Sequence, residues 1–285
     1  MRTVHAIAEL RTQLSAWRKA GERIAFVPTM GNLHRGHIEI VHRGREMAQR
    51  VAASIFVNPL QFGPSEDFNR YPRTLKEDQA KLADAGCDLL FAPTAAEIYP
   101  NGMEQLTRIS VPGISSILDG HFRPGHFEGV ATVVSILLNL VQPDVALFGE
   151  KDYQQLLVIR RMVADLHMPV RIVGVSTQRE PDGLALSSRN QYLSADERKT
   201  AAVLHTVLNE VAGQLKSGRR EFSAMQTAGM QQLERAGFKP QYLEIRTKDL
   251  ANPTETTLNF VVLAAAYLGA TRLIDNVIVA DGITL

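Results

Sequence analysis

Two histidines three positions apart, His34 and His37, stand in the segment Met30-Gly31-Asn32-Leu33-His34-Arg35-Gly36-His37, directly after the apolar run 24–28. Gly31 and Gly36 let a backbone come close to a phosphate, and a helix beginning here offers N–H groups at its positive end. On an emerging helical turn the two imidazoles face the same way. From there they can donate hydrogen bonds to phosphate oxygens as charge builds in a transition state. Two other readings stay open on this segment alone. The pair is half of a metal site, although no third and fourth ligand stand at an obvious spacing, or it is a chance occurrence on the surface.

A second cluster is Leu184-Ala185-Leu186-Ser187-Ser188-Arg189-Asn190, directly after an Asp182-Gly183 turn. The planar guanidinium of Arg189 can grip phosphate, with Ser187 and Ser188 donating from hydroxyl or backbone. Taken alone, Ser-Ser-Arg-Asn is equally a solvated loop. Phe56-Val57-Asn58-Pro59-Leu60-Gln61-Phe62 brings two carboxamides to the mouth of a strand. Gly149-Glu150-Lys151-Asp152-Tyr153-Gln154-Gln155 brings a cation, a carboxylate and an amide to one turn. Lys151 beside Asp152 reads either as a phosphate-binding cation or as a surface ion pair of little worth to stability. Arg123, in Phe122-Arg123-Pro124-Gly125-His126-Phe127-Glu128-Gly129, reads as a substrate contact or as a loop salt bridge.

The histidine segment resembles the His-x-Gly-His signature of the nucleotidylyltransferase superfamily, whose members attack the α-phosphate of ATP and release pyrophosphate. The serine–arginine cluster stands where a second signature of that superfamily is expected. All five segments together, in the same order along the chain as in that family and over nearly the whole chain, resemble the pantothenate synthetase family, AMP-forming ligases that join pantoate to β-alanine. The resemblance implies that the carboxylate of pantoate attacks the α-phosphorus of ATP, giving pantoyl adenylate and pyrophosphate. The amine of β-alanine then attacks the acyl carbon, giving pantothenate and AMP.

What the resemblance implies for individual residues follows the same order. Met30, Gly31, Asn32, Leu33, His34, Arg35, Gly36 and His37 bind ATP, with His34 and His37 on the phosphates and His37 the catalytic acid. Gly149, Glu150, Lys151, Asp152, Gln178, Leu186, Ser187, Ser188 and Arg189 complete the ATP site, and Lys151 and Arg189 count with the histidines as catalytic. Asp152 helps position Mg²⁺, a hard ion that prefers carboxylate, water and phosphate oxygens. Gln61 and Gln155 hold pantoate, because amides donate and accept without repelling its carboxylate. Asn58 serves similarly or bridges to the phosphates, and Arg123 touches the pantoate or phosphate side. Gln178 is a departure, since the family commonly has an apolar residue there; the change bears on adenine packing, not on the reaction. No acyl-enzyme is needed: Cys87 lies outside these motifs and neither serine shows a paired base. The mixed anhydride drives amide formation, which leaves the protein to position substrates and exclude water. A homodimer is also implied.

The elements that must position these residues alternate over the first 175 or so residues. Strand-like runs at 24–28, 51–57, 88–92, 144–148 and 170–175 interleave with helix-like runs at 37–49, 75–85, 132–140 and 153–167. Short apolar strands alternating with helices give a parallel sheet covered on both faces, with ligands at the carboxyl ends of its strands. A Rossmann-like, doubly wound α/β domain is therefore expected over residues 1–176. After it, a capped helix from Ser194 towards Leu215, a helix at 222–236 and strands at 242–246, 259–267 and 271–279 describe a smaller α+β domain, 177–285, closing over the active site. Residues 178–183 read as a hinge and residues 64–71 as a polar lid.

Composition bounds the rest. The 285 residues carry 31 Lys and Arg against 30 Asp and Glu, so no strong basic field invites nucleic acid, and no apolar run reaches the ~20 residues a bilayer span needs. The first ten residues carry polar groups at amphipathic spacing, unlike a secretory leader, and one cysteine forms no internal disulfide, so a cytoplasmic enzyme is expected. Three rivals remain. Another nucleotidyl transferase needs a cationic clamp for a phosphorylated acceptor; a nucleotide-sensing module has no evident need for His34, His37, Lys151 and Arg189 together; a tRNA-dependent enzyme needs an anticodon-binding extension.

Overall fold

The structure, a computed structural model, describes residues 1–64 and 66–280; Ser65, in the expected lid, lies outside the described residues. Its elements run β1 (Arg2–Val4), α1 (Ile7–Lys19), β2 (Ile24–Thr29), α2 (Arg35–Met47), β3 (Arg50–Ile55), α3 (Leu75–Asp84), β4 (Leu89–Phe91), α4 (Ala95–Ile98), α5 (Asp119–Phe122), α6 (His126–Val141), β5 (Val145–Gly149), α7 (Tyr153–Asp165) and β6 (Arg171–Val175). The chain continues through α8 (Ala195–Ala201), α9 (Val203–Lys216), α10 (Phe222–Arg235), β7 (Lys239–Thr247), β8 (Phe260–Leu268) and β9 (Thr271–Val279).

The first six strands form one parallel sheet in the order β1-β4-β3-β2-β5-β6. Because strand side chains alternate faces, each strand feeds two cores. Ile24 and Phe26 of β2 join Ala146 and Phe148 of β5 in a core under α1, α6 and α7. Ala25 and Val27 join Val145 and Leu147 in the core under α2 and α3. Burial on both faces is why these strands read as unbroken apolar runs. From β2 the chain moves one way to β3 and β4 and later the other way to β5 and β6, so the sheet switches direction between β2 and β5. Ligand crevices of open α/β sheets lie at such a point.

Two compact units emerge: Met1–Glu150 with Gln154–Ser176, and Lys151–Tyr153 with the described residues from Thr177 onward. The second unit has an antiparallel sheet, β7-β8-β9, whose apolar residues share a core with α9 and α10. The chain between β5 and α7 thus passes briefly into the second unit, a detail that no composition shift marks.

Several expectations change. The N-terminal amphipathic stretch is a parallel edge strand followed by α1, and the helix expected at 132–140 starts earlier, at His126. The single helix expected from Ser194 is two, α8 and α9, joined at Ala202 with φ −64° and ψ −21°. Those angles lean towards a 3₁₀ turn, so the hydrogen-bond pattern breaks while the chain stays helical. Ser194 does cap α8: its Oγ accepts from Glu197 N at 3.3 Å, and Glu197 Oε2 accepts from Ser194 N at 2.8 Å. Residues 178–186, expected to hold a hinge, form a short antiparallel arm, with Leu186 N donating to Gln178 O at 2.9 Å and Glu180 N to Leu184 O at 2.8 Å. Within the expected lid, the Phe68 and Tyr71 rings pack edge-on against Phe62 at 5.3 and 5.8 Å.

Candidate active site

In the first unit, the ends of β2, β3 and β5 carry the predicted residues. The Met30–His37 loop is held from α3. Asp78, fully buried, accepts from Asn32 N and Leu33 N, both at 2.8 Å, and from Thr74 Oγ1 at 3.1 Å, while Lys81 Nζ donates to Leu33 O at 2.7 Å. Gly31 has φ +84°, and a Cβ there would lie 3.0 Å from Ile55 Cγ2 and 3.2 Å from Asp78 Oδ2. A side chain would therefore push the loop off its anchor. The amides of Asn32 and Leu33 are thus spent on Asp78, and the backbone donors expected for phosphate must come from elsewhere. Asp78 escaped sequence reasoning; its signal is an acidic residue four before Leu82 on the buried stripe of α3.

His34 is the N-cap of α2, and His37 stands at the third helical position. His34 Nδ1 accepts from Gly36 N at 3.1 Å, and His37 Nδ1 accepts from His34 N at 3.3 Å. A neutral imidazole whose Nδ1 accepts carries its proton on Nε2. The backbone therefore fixes both tautomers as Nε2–H donors, with ring centroids 4.1 Å apart. Two such donors at a helix N-terminus make an anion-facing pair. Among the described residues, no group of three or more His, Cys, Asp or Glu is placed to hold a metal ion.

At the end of β3 the two carboxamides part company. Asn58, 1% exposed, donates to Gln61 Oε1 and Gly129 O, both at 3.2 Å, and its Oδ1 accepts from Leu60 N at 3.2 Å and Tyr99 Oη at 2.7 Å. These four hydrogen bonds fix the Asn58 side chain at the mouth of β3 beside Gln61. Gln61 Nε2, by contrast, donates to a thioether, Met30 Sδ at 3.0 Å, a weak acceptor that an oxygen ligand displaces at little cost. Burial pushes the Tyr99 phenol well above its ordinary range, so it remains a donor to Asn58.

The backbone of Gln61 is gripped in turn. His126 Nδ1–H donates to Gln61 O at 2.8 Å, and its Nε2 accepts from Arg123 Nη1 at 3.0 Å. Burial, helped by the Arg123 charge, lowers the His126 pKa to about 4, so the ring is neutral at pH 7. Arg123 makes a paired contact with Glu66, at 2.7 and 2.6 Å. Of its two sequence readings, these contacts describe the loop salt bridge. Gly129 lets α6 meet the turn at Pro59–Gln61; a Cβ there would stand 2.3 Å from Leu60 O. The roles of His126, Tyr99 and Gly129 are not legible in the sequence, because these partners lie 41 to 71 positions away.

Gly149 closes β5 beside β2. Glu150 lies over β6, its Oε1 2.8 Å from where a Cβ of Gly174 would be. On the first turn of α7, Gln154 is consumed by structure: it accepts from Asp119 N at 3.0 Å and donates to Ile114 O and Ile117 O at 2.7 and 2.8 Å. Its neighbour Gln155 is half-buried.

The second unit holds the other predicted group. Lys151 is 17% exposed, with Nζ 3.9 Å from Asp152 Oδ1, and its carbonyl accepts from Asn276 Nδ2 at 2.9 Å. Gln178 and Leu186 pair across the arm through backbone, Leu186 N donating to Gln178 O. Ser187 caps the 3₁₀ turn Ser188–Tyr192 by accepting from Arg189 N at 3.2 Å, so its hydroxyl proton can still donate. Asp152, 48% exposed, shares the turn Glu150–Asp152 with the Glu150 carboxylate, and a carboxylate this exposed suits an ion that arrives with polyphosphate and keeps most of its waters. Cys87 takes no part: it is buried, and burial pushes its thiol up to about 12.

Known proteins share this architecture over nearly the whole chain. A family model for pantoate-beta-alanine ligase matches residues 2–278. The pantothenate synthetase of Azotobacter vinelandii is 56% identical over 277 residues, covering 97% of this chain and 98% of that protein. That of Stutzerimonas stutzeri is 57% identical over 280 residues, 98% of each. The crystal structure of pantothenate synthetase from Thermus thermophilus is similar with a TM-score of 0.92 at 49% identity, covering 98% of this chain and 100% of that one. The pantoate-beta-alanine ligase of Francisella tularensis, complexed with beta-gamma ATP and beta-alanine, gives a TM-score of 0.83 at 36% identity over 97% of each chain.

Proposed function

The chain belongs to the pantoate–β-alanine ligase family, an enzyme family of pantothenate biosynthesis, and we propose that it joins its two acceptors through a pantoyl adenylate. It ligates pantoate to β-alanine at the expense of ATP. The observation that carries the stepwise reading is the paired Nε2–H tautomer of His34 and His37 at the N-terminus of α2.

In this mechanism the pantoate carboxylate attacks the α-phosphorus, and negative charge grows on the equatorial and bridging oxygens. His34 and His37 donate to those oxygens from Nε2, and the departing pyrophosphate takes charge stabilisation from Lys151, Arg189 and the serine donors. Asp152 would hold Mg²⁺, which would supply further neutralisation of the phosphate charge. Gln61 Nε2 turns from the Met30 sulfur to an oxygen of pantoate, and Gln155 offers a second amide. The amine of β-alanine then attacks the acyl carbon and AMP leaves. No protein nucleophile enters, which suits a cysteine held protonated by burial.

AMP formation from ATP, measured with pantoate alone, β-alanine alone and both together, tests the reading. Sustained turnover is expected only with both acceptors. Steady AMP release with β-alanine alone would remove pantoate from the activation step.

A further inference from the structure

Behind the Ser187–Arg189 turn, within the second unit, lies a small enclosed space whose lining includes Lys151, Ser187, Asn190, His205 and Asp275. It leaves about 10 Å³ for the centre of a water-sized sphere, close to what one water requires. Two buried polar atoms of its lining residues have no hydrogen-bond partner among the described residues: Asn190 Oδ1 and His205 Nδ1. They are of opposite kind. Asn209 Nδ2, which can only donate, lies 2.9 Å from His205 Nε2, so Nε2 accepts and Nδ1 carries the proton. Nδ1 stands 3.3 Å from Asp275 Oδ2, close enough for electrostatic attraction but without a hydrogen bond of full geometry. A buried donor and a buried acceptor left unmade at one water-sized space are costly, and a single bridging molecule satisfies both.

The surroundings tie this space to the phosphate-binding groups. Arg179, on one side of the arm, pairs with Asp275 at 2.6 and 2.9 Å. Burial raises the Asp275 carboxyl, but contact with His205 and Arg179 outweighs it and keeps the pKa below the usual carboxylate value. The next residue, Asn276, donates from Nδ2 to Lys151 O. On the other side of the arm, Asn190 Nδ2 donates to Ala185 O at 3.0 Å and follows Arg189 directly. The Asp275–Asn276 pair on β9 therefore holds Lys151 and one strand of the arm, whereas the turn bearing Arg189 joins this framework through Asn190.

We propose that one ordered water occupies this space, accepting from His205 Nδ1–H and donating to Asn190 Oδ1, with Asp275 as acceptor for its second proton. His205 and Asn190 are then positioning residues that set the Ser187–Arg189 turn relative to Lys151. The inference rests on the reading that Lys151 and Ser187–Arg189 grip the phosphates of ATP.

A crystal structure of the wild-type enzyme that resolves ordered solvent tests it first. One water at about 2.7–3.2 Å from both Asn190 Oδ1 and His205 Nδ1 is expected; direct contact between the two side chains, or no density in that space, overturns the proposal. Kinetics tests the positioning role. His205→Phe removes the donor and is expected to raise the KM for ATP in pyrophosphate exchange roughly fivefold or more, with the KM for β-alanine unchanged. His205→Gln, which keeps a donor, is expected to restore much of the loss. Equal effects on both KM values, or a fall in thermal stability with no change in the KM for ATP, would overturn the positioning role. Lys151→Ala serves as control: if it leaves the KM for ATP unchanged, the phosphate reading of Lys151 fails, while the crystallographic outcome still decides the water.

Discussion

At His34 and His37 the backbone selects the tautomer. Each Nδ1 accepts an amide proton from the same helical turn, so each Nε2–H is a donor before any ligand arrives. A preorganised donor stabilises developing charge without reorganising during the reaction. His37→Ala is therefore expected to slow adenylate formation by about 10²–10³-fold, the usual cost of one such donor, while far-ultraviolet circular dichroism stays unchanged. A variant within a factor of two of wild type would refute the role. The histidine pair, Lys151 and Ser187–Arg189 were legible because their chemistry lies in short contiguous segments. Asp78, His126 and His205 were not, because each acts on a partner tens of positions away, a separation that only the fold closes. Asn58 reads from its type and place as a substrate contact, while its ties to Gly129 and Tyr99, 71 and 41 positions away, become visible only in the fold.

Elements place these side chains by close approach. The first turn of α6 meets the turn at Pro59–Gln61 across Gly129 with no room for a methyl group, since a Cβ would lie 2.3 Å from Leu60 O. Gly129→Ala is expected to destabilise the fold by about 1–3 kcal/mol and to displace Gln61. The KM for pantoate should rise more than the KM for ATP, and equal changes in both would argue against Gln61 as the pantoate contact. Strands β2, β3 and β5 were readable to within two residues, because burial on both faces leaves an apolar run that little else produces. The edge strand β1 has three residues and no such run, and the split of the helix after Ala201 leaves no breaker residue in the sequence.

At the scale of the whole molecule, burial of His126 makes stability depend on pH. His126 ionises at about 4 when folded against 6.5 ordinarily, so between those values the unfolded chain holds a proton the folded chain lacks. Stability conferred by the neutral ring is complete above pH 6.5 and falls as pH drops towards 4, with about 2 kcal/mol gone at pH 5. Chemical denaturation at pH 7 and pH 5 measures this, and His126→Asn should flatten the difference; an unchanged slope would place the pH dependence elsewhere. At this scale the sequence supported a parallel α/β sheet and a smaller α+β domain; both are present, and the structure adds that the second sheet is antiparallel. It did not disclose that Lys151–Tyr153 packs with the second unit, because that depends on Asn276 and Lys248, more than 90 positions away. Among the described residues no helix is long and apolar enough to cross a membrane.

Activation of pantoate ahead of amide formation is the central claim, and exchange of labelled pyrophosphate into ATP without β-alanine probes it most directly. Exchange that requires pantoate and disappears when pantoate is omitted is the expected result. Exchange independent of pantoate, or none until β-alanine is added, would contradict a pantoyl adenylate formed at His34 and His37.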